Sequence, residues 1–228
     1  MPLPNRVTPF ADLVAVPARG TLMGNRGGRL HDASRRLGSR RWASTQWICC
    51  VLDFKDRQRR VWGDSYTELF FLDEVTAFAA GHRPCFECRR KDAERFAELF
   101  ANGSPNSVHS RASGNPALGP RLRGDERRGE RVSATFMDTV LHRERRDGRG
   151  KRLHRRAIDA LPDGAMIATD GEVFALRGAH LLRWTPSGYD KPAPRLRGLD
   201  VDVLTPPSIL QVLARGYAPL WHPSAARL

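Results

Sequence analysis

The stretch Gly81-His82-Arg83-Pro84-Cys85-Phe86-Glu87-Cys88-Arg89-Arg90 carries the densest chemistry in this chain. Two cysteines at C-x-x-C spacing can point at one ion, because a tight turn brings their sulfurs within reach of a single tetrahedral centre. Upstream, Asp73 is placed to cap a short helix, Asp73 to Ala80, and Gly81 stands where a left-handed C-terminal residue is wanted. Downstream, Ala93, Phe96, Ala97 and Phe100 recur at i, i+3, i+4 and i+7, which predicts one buried face on a helix from Arg89 to Ala101.

The chain has 4 cysteines, and the other two are Cys49 and Cys50, in a run from Trp47 to Phe54 that reads as a strand. Ile48, Cys50, Leu52 and Phe54 form its apolar face, while Trp47, Cys49, Val51 and Asp53 form the other. Neighbouring strand residues point to opposite faces, so a regular strand offers one of the two cysteines to an ion held by Cys85 and Cys88. The more polar side favours Cys49, with Cys50 as a small core residue. Four clustered cysteines without a secretory leader favour metal binding in a reducing cytosol over a disulfide framework. The competing reading of C-x-x-C is a redox pair, which normally opens a helix after a strand in a βαβ pattern, and no such pattern surrounds it. The expected ion is Zn2+ and the expected location is cytoplasmic.

At 228 residues the chain can bury a core in one domain or two small ones. It has no run of 18 apolar residues, so no membrane span is expected, and Met1 to Arg19 lacks the continuous apolar stretch of a signal peptide. The formal net charge of +13 is unevenly spread. Residues 26–41 carry six Arg against Asp32, and residues 142–156 carry seven Arg and Lys151 against Glu144 and Asp147. Clustered arginine suits phosphate, because the guanidinium fork matches phosphate oxygens and counterion release favours binding. A solvated surface is the competing reading.

In chain order, residues 7–18 read as a short strand bracketed by prolines, and Gly20 to Leu37 as loop or hairpin. A charged turn over Lys55 to Arg60 precedes two further strands, Val61-Trp62 and Thr67 to Leu72. Residues 104–131 have almost no large apolar residues and no periodicity, too little to offset the entropy of ordering, so a disordered insertion is expected. Val132 to Ile158 reads as a basic helix, interrupted near Gly148 and Gly150. From Leu161 the pattern becomes β-rich. Asp170-Gly171 signals a hairpin between 165–169 and 172–176. A strand over 179–184, a turn over Thr185 to Tyr189, a Pro/Arg-rich loop over 190–198 and a strand from Val201 to Leu204 follow. A closing helix runs from Ser208 to Arg215 with Gly216 as its stop. Ser187 and Ser208 are expected to make local hydrogen bonds.

Residues 70–90, Phe-Phe-Leu-Asp-Glu-Val-Thr-Ala-Phe-Ala-Ala-Gly-His-Arg-Pro-Cys-Phe-Glu-Cys-Arg-Arg, resemble the C-terminal half of the Ada-type zinc-binding domain of alkylation-repair proteins. That resemblance implies Cys85 and Cys88 as zinc ligands. Gly24-Asn25-Arg26 through Leu30-His31 also resembles the Gly-Asn-Lys…Tyr-His entry of small Ada-like modules, which makes His31 a fourth-ligand candidate. The family's first ligand pair is C-x-x-x-C in a Thr-Thr-Gly context. Adjacent Cys49 and Cys50 depart from it, which puts methyl acceptance in doubt and leaves metal binding intact. The comparison implies DNA contact, for which Arg29, Arg35, Arg36, Arg83, Arg89 and Arg90 flank the module, with Arg152 and Arg155 in the second basic run. Residues 104–131 separately resemble a translated palindromic repeat insertion.

The expected fold is α+β: an Ada-like zinc-nucleated unit over 1–103, the insertion over 104–131, a basic helical connector over 132–160, and a hairpin-rich unit with a C-terminal helix over 161–228. Three functions compete. One is a zinc-stabilised protein contacting DNA or RNA, with a structural ion held by Cys85, Cys88, Cys49 or Cys50, and the other cysteine or His31. Another is an enzyme, using a zinc thiolate as nucleophile or His142, His154 and His180 as acid–base groups on phosphodiesters. The last is a protein-interaction module built on the β-rich half.

Overall fold

The computed structural model describes residues 2–57, 60–101 and 132–226. The expected insertion, residues 104–131, lies outside the described residues. The mixed α+β class is observed: two six-stranded sheets, a two-stranded hairpin and four α-helices are present among the described residues.

The first sheet is built from β1 (Arg6–Val7), β2 (Leu13–Val14), β3 (Leu22–Asn25), β4 (Ile48–Cys50), β5 (Leu69–Phe71) and, beyond helix α1 (Glu74–Ala79), β6 (Arg83–Pro84). Their spatial order is β2-β1-β5-β3-β4-β6. The run expected as one strand over Trp47 to Phe54 pairs only through Cys50, and Val51 and Leu52 leave the ladder. Val61-Trp62 is not a strand. Trp62 takes a left-handed φ of 57° and is anchored by Glu68, whose Oε2 accepts from the Trp62 amide at 2.8 Å. Residues 7–18 form parts of two short strands, β1 and β2, which pair with each other.

Helix α1 is capped as its sequence dictates. Asp73 Oδ1 accepts from the Thr76 amide at 2.9 Å. At the other end Gly81 sits at φ +86°, its N–H bonds Phe78 O at 2.9 Å and that of His82 bonds Ala77 O at 2.9 Å. That is the double closure a left-handed glycine permits. Every residue of α1 is buried, as expected of a helix packed on all sides.

Helix α2 (Arg90–Ala101) buries the expected Ala93, Phe96, Ala97 and Phe100. Helix α3 (Ala134–Arg145) covers only the first part of the stretch expected as helix to Ile158. The rest turns through the hairpin β7 (Arg146–Asp147) and β8 (Gly150–Lys151) into β9 (His154–Ala157). Gly148, at φ +54°, makes the turn. The second sheet continues with β10 (Met166–Thr169), β11 (Glu172–Arg177), β12 (His180–Thr185), β13 (Gly188–Pro194) and β14 (Asp200–Val203), and its order is β13-β12-β11-β10-β14-β9. Asp170 and Gly171 both have positive φ, the primed hairpin turn expected of Asp-Gly. The loop expected over 190–198 is largely β13, an edge strand, where Pro192 and Pro194 cost few ladder bonds. The opposite edge is β9, whose exposed Arg155 and Arg156 discourage further pairing.

Helix α4 (Pro207–Ala214) begins on proline and packs against α2 and α3. The N- and C-terminal parts of the chain share buried clusters. One cluster joins Phe78, Phe96 and Phe100 to Met137, Leu141, Ile209 and Leu213. A second joins Leu72, Val75 and Ala79 to Met166, Leu182 and Tyr189. Helices α1 and α2 are thus covered by the second half of the chain.

Candidate metal centre

Cys50, Cys85 and Cys88 bring their sulfurs within 4.8 Å of one another. A tetrahedral ion with sulfur bonds of about 2.3 Å needs sulfurs about 3.8 Å apart, so small side-chain shifts suffice to close on it. Cys50 comes from the end of β4, and the other two from the turn between β6 and α2. The Cys85 amide bonds Cys49 O at 3.0 Å, which fixes that turn against β4. Within the turn the Glu87 N–H donates to Cys85 Sγ at 3.4 Å, an interaction that favours thiolate.

The three sulfurs cannot share this space as independent thiols. Hydrogen bonds from Cys50 and Cys88 hold the Cys85 pKa far below the usual thiol range, while hydrogen bonding to Cys85, then to Cys88, and burial hold the Cys50 thiol well above it. At Cys88 the Cys50 hydrogen bond acts most strongly and lowers the pKa, but hydrogen bonding with Cys85, burial and the Cys85 charge together outweigh it and push the thiol up. One thiolate forms readily, and further ionisation calls for a nearby cation. A soft donor set of this kind suits zinc, copper(I) or iron–sulfur chemistry.

The preference for Cys49 over Cys50 is reversed. The alternation of β4 is real, but the side of the sheet facing Cys85 and Cys88 is the one expected to be core. Cys49 is fully buried on the other side, where its sulfur accepts from Arg89 Nη1 at 3.3 Å. Burial, then the nearby Glu74 carboxylate, pushes its thiol up. Arg89 continues to Glu74 Oε1 at 2.7 Å, which also accepts from Tyr217 Oη at 3.0 Å. Cys49 therefore belongs to a structural network.

His31 is not among the clustered ligand atoms either. Its Nδ1 meets Thr67 Oγ1 at 2.7 Å and its Nε2 meets Gly63 O at 2.9 Å. Its ring stacks on Trp62 at 5.2 Å.

The sulfurs line a cavity of about 390 Å³ whose walls include Asn25, Phe54, Tyr66, Glu68 and Phe70. Glu68 was not singled out in the sequence. It is 3% exposed, and its Oε1 has no hydrogen-bond partner among the described residues. A glutamate in an apolar strand has no spacing signal, and only the turn at Trp62 explains its orientation.

The arginines expected to face nucleic acid separate into two sets. Arg83 and Arg89 are buried, Arg83 in an ion pair with Asp138 at 2.8 Å and Arg89 with Glu74 and Asp92. Arg29, Arg36, Arg90, Arg152 and Arg155 are exposed, and Arg35 is half-buried with Nη2 on Val61 O at 3.0 Å. His142, His154 and His180 lie on three separate elements, α3, β9 and β12. Ser208, expected to bond locally, reaches a distant partner instead: its Oγ donates to Glu144 Oε1 at 2.7 Å.

With this geometry in view, comparison with known proteins adds no relative: no protein-family model matches the chain, and neither a curated protein nor a solved structure matches it significantly. The fold and the Cys50–Cys85–Cys88 cluster therefore carry the functional argument.

Proposed function

We propose that the protein is a zinc protein in which Cys50, Cys85 and Cys88 hold the ion and the adjoining cavity supplies the fourth donor. The single observation that carries this reading is the placement of three thiols on the wall of a cavity of about 390 Å³. Three protein ligands with an accessible position are the arrangement of zinc sites that act on a bound molecule, whereas structural sites are closed by four. Zinc there would serve as a Lewis acid toward an oxygen, nitrogen or sulfur donor entering the cavity. The chain's own contribution is specific. Phe54 and Phe70 limit water, and Glu68 presents the unpartnered Oε1 at which a proton could be accepted.

Cobalt(II) substitution tests the reading. A cobalt–thiolate charge-transfer band with tetrahedral d–d bands is expected, and added imidazole or a small thiol should shift the d–d bands. Spectra insensitive to every small donor would mean a closed site, and no stoichiometric metal would end the proposal.

A second reading, contact with nucleic acid, is favoured by the exposed arginines. Arg29 and Arg60 border a surface depression that Arg35 also lines. Binding to DNA or RNA through such residues should weaken steeply as salt rises. Absence of gel retardation at low salt would remove it.

A further inference from the structure

Away from the cysteines, the structure gathers several cations around one carboxylate, Asp12. Arg26 and Arg145 are each 1% exposed. Their guanidinium carbons both stand 4.0 Å from the ring centroid of Trp47. Arg26 donates only to neutral partners: His82 Nε2, Arg41 O and Ala11 O. Arg145 likewise reaches Gly81 O, Thr45 O and His142 Nδ1. Lys151 donates its ammonium hydrogen to Ala79 O. Among the described residues none of the three forms an ion pair with a carboxylate, and Asp138, the acid near Arg145, is engaged by Arg83.

These side chains surround a small cavity of about 40 Å³ lined by six cations, Arg26, Arg41, Arg145, Arg146, Arg149 and Lys151, with one carboxylate, Asp12. Two nitrogens of the lining residues, Arg145 Nε and Arg146 Nε, are buried without a hydrogen-bond partner among the described residues. Burying a charge without a partner is costly, and so is leaving a buried donor unmade. Both costs fall if an acceptor-rich anion occupies the cavity. Its volume admits a few waters or one small oxyanion.

We propose that Arg26, Arg145, Arg146 and Lys151 form a receptor for a phosphate-type oxyanion, either free or at the terminus of a larger molecule. Guanidinium groups suit it because their donors match the tetrahedral oxygens. The buried position of Arg26 and Arg145 disfavours a continuous polymer backbone, which would need an open groove. Burial, and then repulsion from neighbouring cations, lowers the proton affinity of Arg26, Arg145 and Lys151; Arg26 falls to about 9. A bound dianion would reverse that repulsion.

The test uses the full chain with inorganic phosphate against sodium chloride at matched ionic strength, read by calorimetry and thermal melting. One phosphate per chain and a raised Tm specific to phosphate are expected. Lys151→Gln, and independently the exposed-rim variant Arg149→Ala, should weaken phosphate binding, Lys151→Gln by at least about tenfold. In phosphate-free buffer Lys151→Gln should melt no lower than wild type, since it removes one of the repelling charges. A 5′-phosphorylated dinucleotide and its unphosphorylated counterpart distinguish the source. Binding of the phosphorylated form alone assigns a terminal phosphate, and binding of inorganic phosphate alone assigns a free anion. Phosphate no more effective than chloride, or both variants binding it as tightly as wild type, would overturn the proposal.

Discussion

Arg83 and Asp138 form a buried two-pronged ion pair, with Nε to Oδ1 and Nη2 to Oδ2 both at 2.8 Å. Arg83 belongs to the cysteine stretch and Asp138 to α3, so the pair fixes the candidate metal centre against a helix from the second half of the chain. Removing one partner would leave the other charge buried and alone. Asp138→Ala should therefore lower stability by about 3–5 kcal/mol in urea titration, and the double change Arg83→Met with Asp138→Leu should recover much of that loss. A loss below about 1 kcal/mol for Asp138→Ala would show that water replaces the carboxylate.

What could be read from the sequence here was local. Asp73, Gly81, the α2 face and the Asp170-Gly171 turn act through neighbours in the chain, and each stands as expected. The choice between Cys49 and Cys50 needed to know which face of β4 meets Cys85, and that depends on pairing with β6 and β3. Arg83, Arg89, Arg26 and Arg145 read as surface charge because arginine is rarely buried. Contacts that hold them inside lie 55, 40, 56 and 100 positions away, at Asp138, Cys49, His82 and Thr45. No periodicity encodes such contacts. Glu68 carries no signal either, although its contact is near in sequence, because the left-handed position of that turn is held by Trp62 rather than by a glycine.

Metal content separates the two adjacent cysteines. Cys50→Ala and Cys88→Ala should each lose the ion, measured by elemental analysis after dialysis. Cys49→Ala should retain it, because its sulfur faces Arg89 on the opposite side of the sheet. Equal retention in all three would place the ion elsewhere. Metal removal by chelator should cost several kcal/mol of stability, as expected where the ion joins β4 to the turn between β6 and α2.

Gly81→Ala tests the turn that delivers the cysteines. An added Cβ would lie 2.6 Å from Arg145 Cδ and 2.8 Å from Arg145 Cβ, at a φ of +86°. Backbone strain and displacement of Arg145 act together, so a loss of at least about 1–3 kcal/mol is expected. The metal-binding isotherm should weaken with it. Unchanged stability would mean that α3 can move aside.

His82 supplies the pH dependence. It is fully buried, its ring 5.0 Å from that of Trp47 and 4.6 Å from that of Phe71. Burial, and then the charges of Arg26, Arg145 and Lys151, hold its pKa well below 6.5. The unfolded chain takes up the proton first, so the stability that neutral His82 confers is present above pH 6.5 and lost as the pH falls below it. The slope for this one site approaches about 1.4 kcal/mol per pH unit. His82→Gln should flatten the profile between pH 6.5 and 5 relative to wild type. Parallel profiles would show that the proton enters elsewhere.

The shared cores make a prediction about cooperativity. Phe96 lies 5.6 Å from Phe78 and 5.8 Å from Tyr217, ring centre to ring centre, so one aromatic group joins α1, α2 and the segment after α4. Glu74 extends the connection, because its Oε2 accepts from the Leu220 amide at 2.9 Å. If these contacts set stability, residues 1–103 expressed alone expose the apolar faces of α1 and α2 and should not fold, and residues 132–228 should fare no better. Mixed together, the two fragments should recover native near-ultraviolet circular dichroism. Phe96→Ala in the intact chain should cost about 3–5 kcal/mol and lower one common unfolding transition, without splitting it into two. A fragment that folds independently with a sharp melt would show that the interface between the halves is an adjunct to two cores.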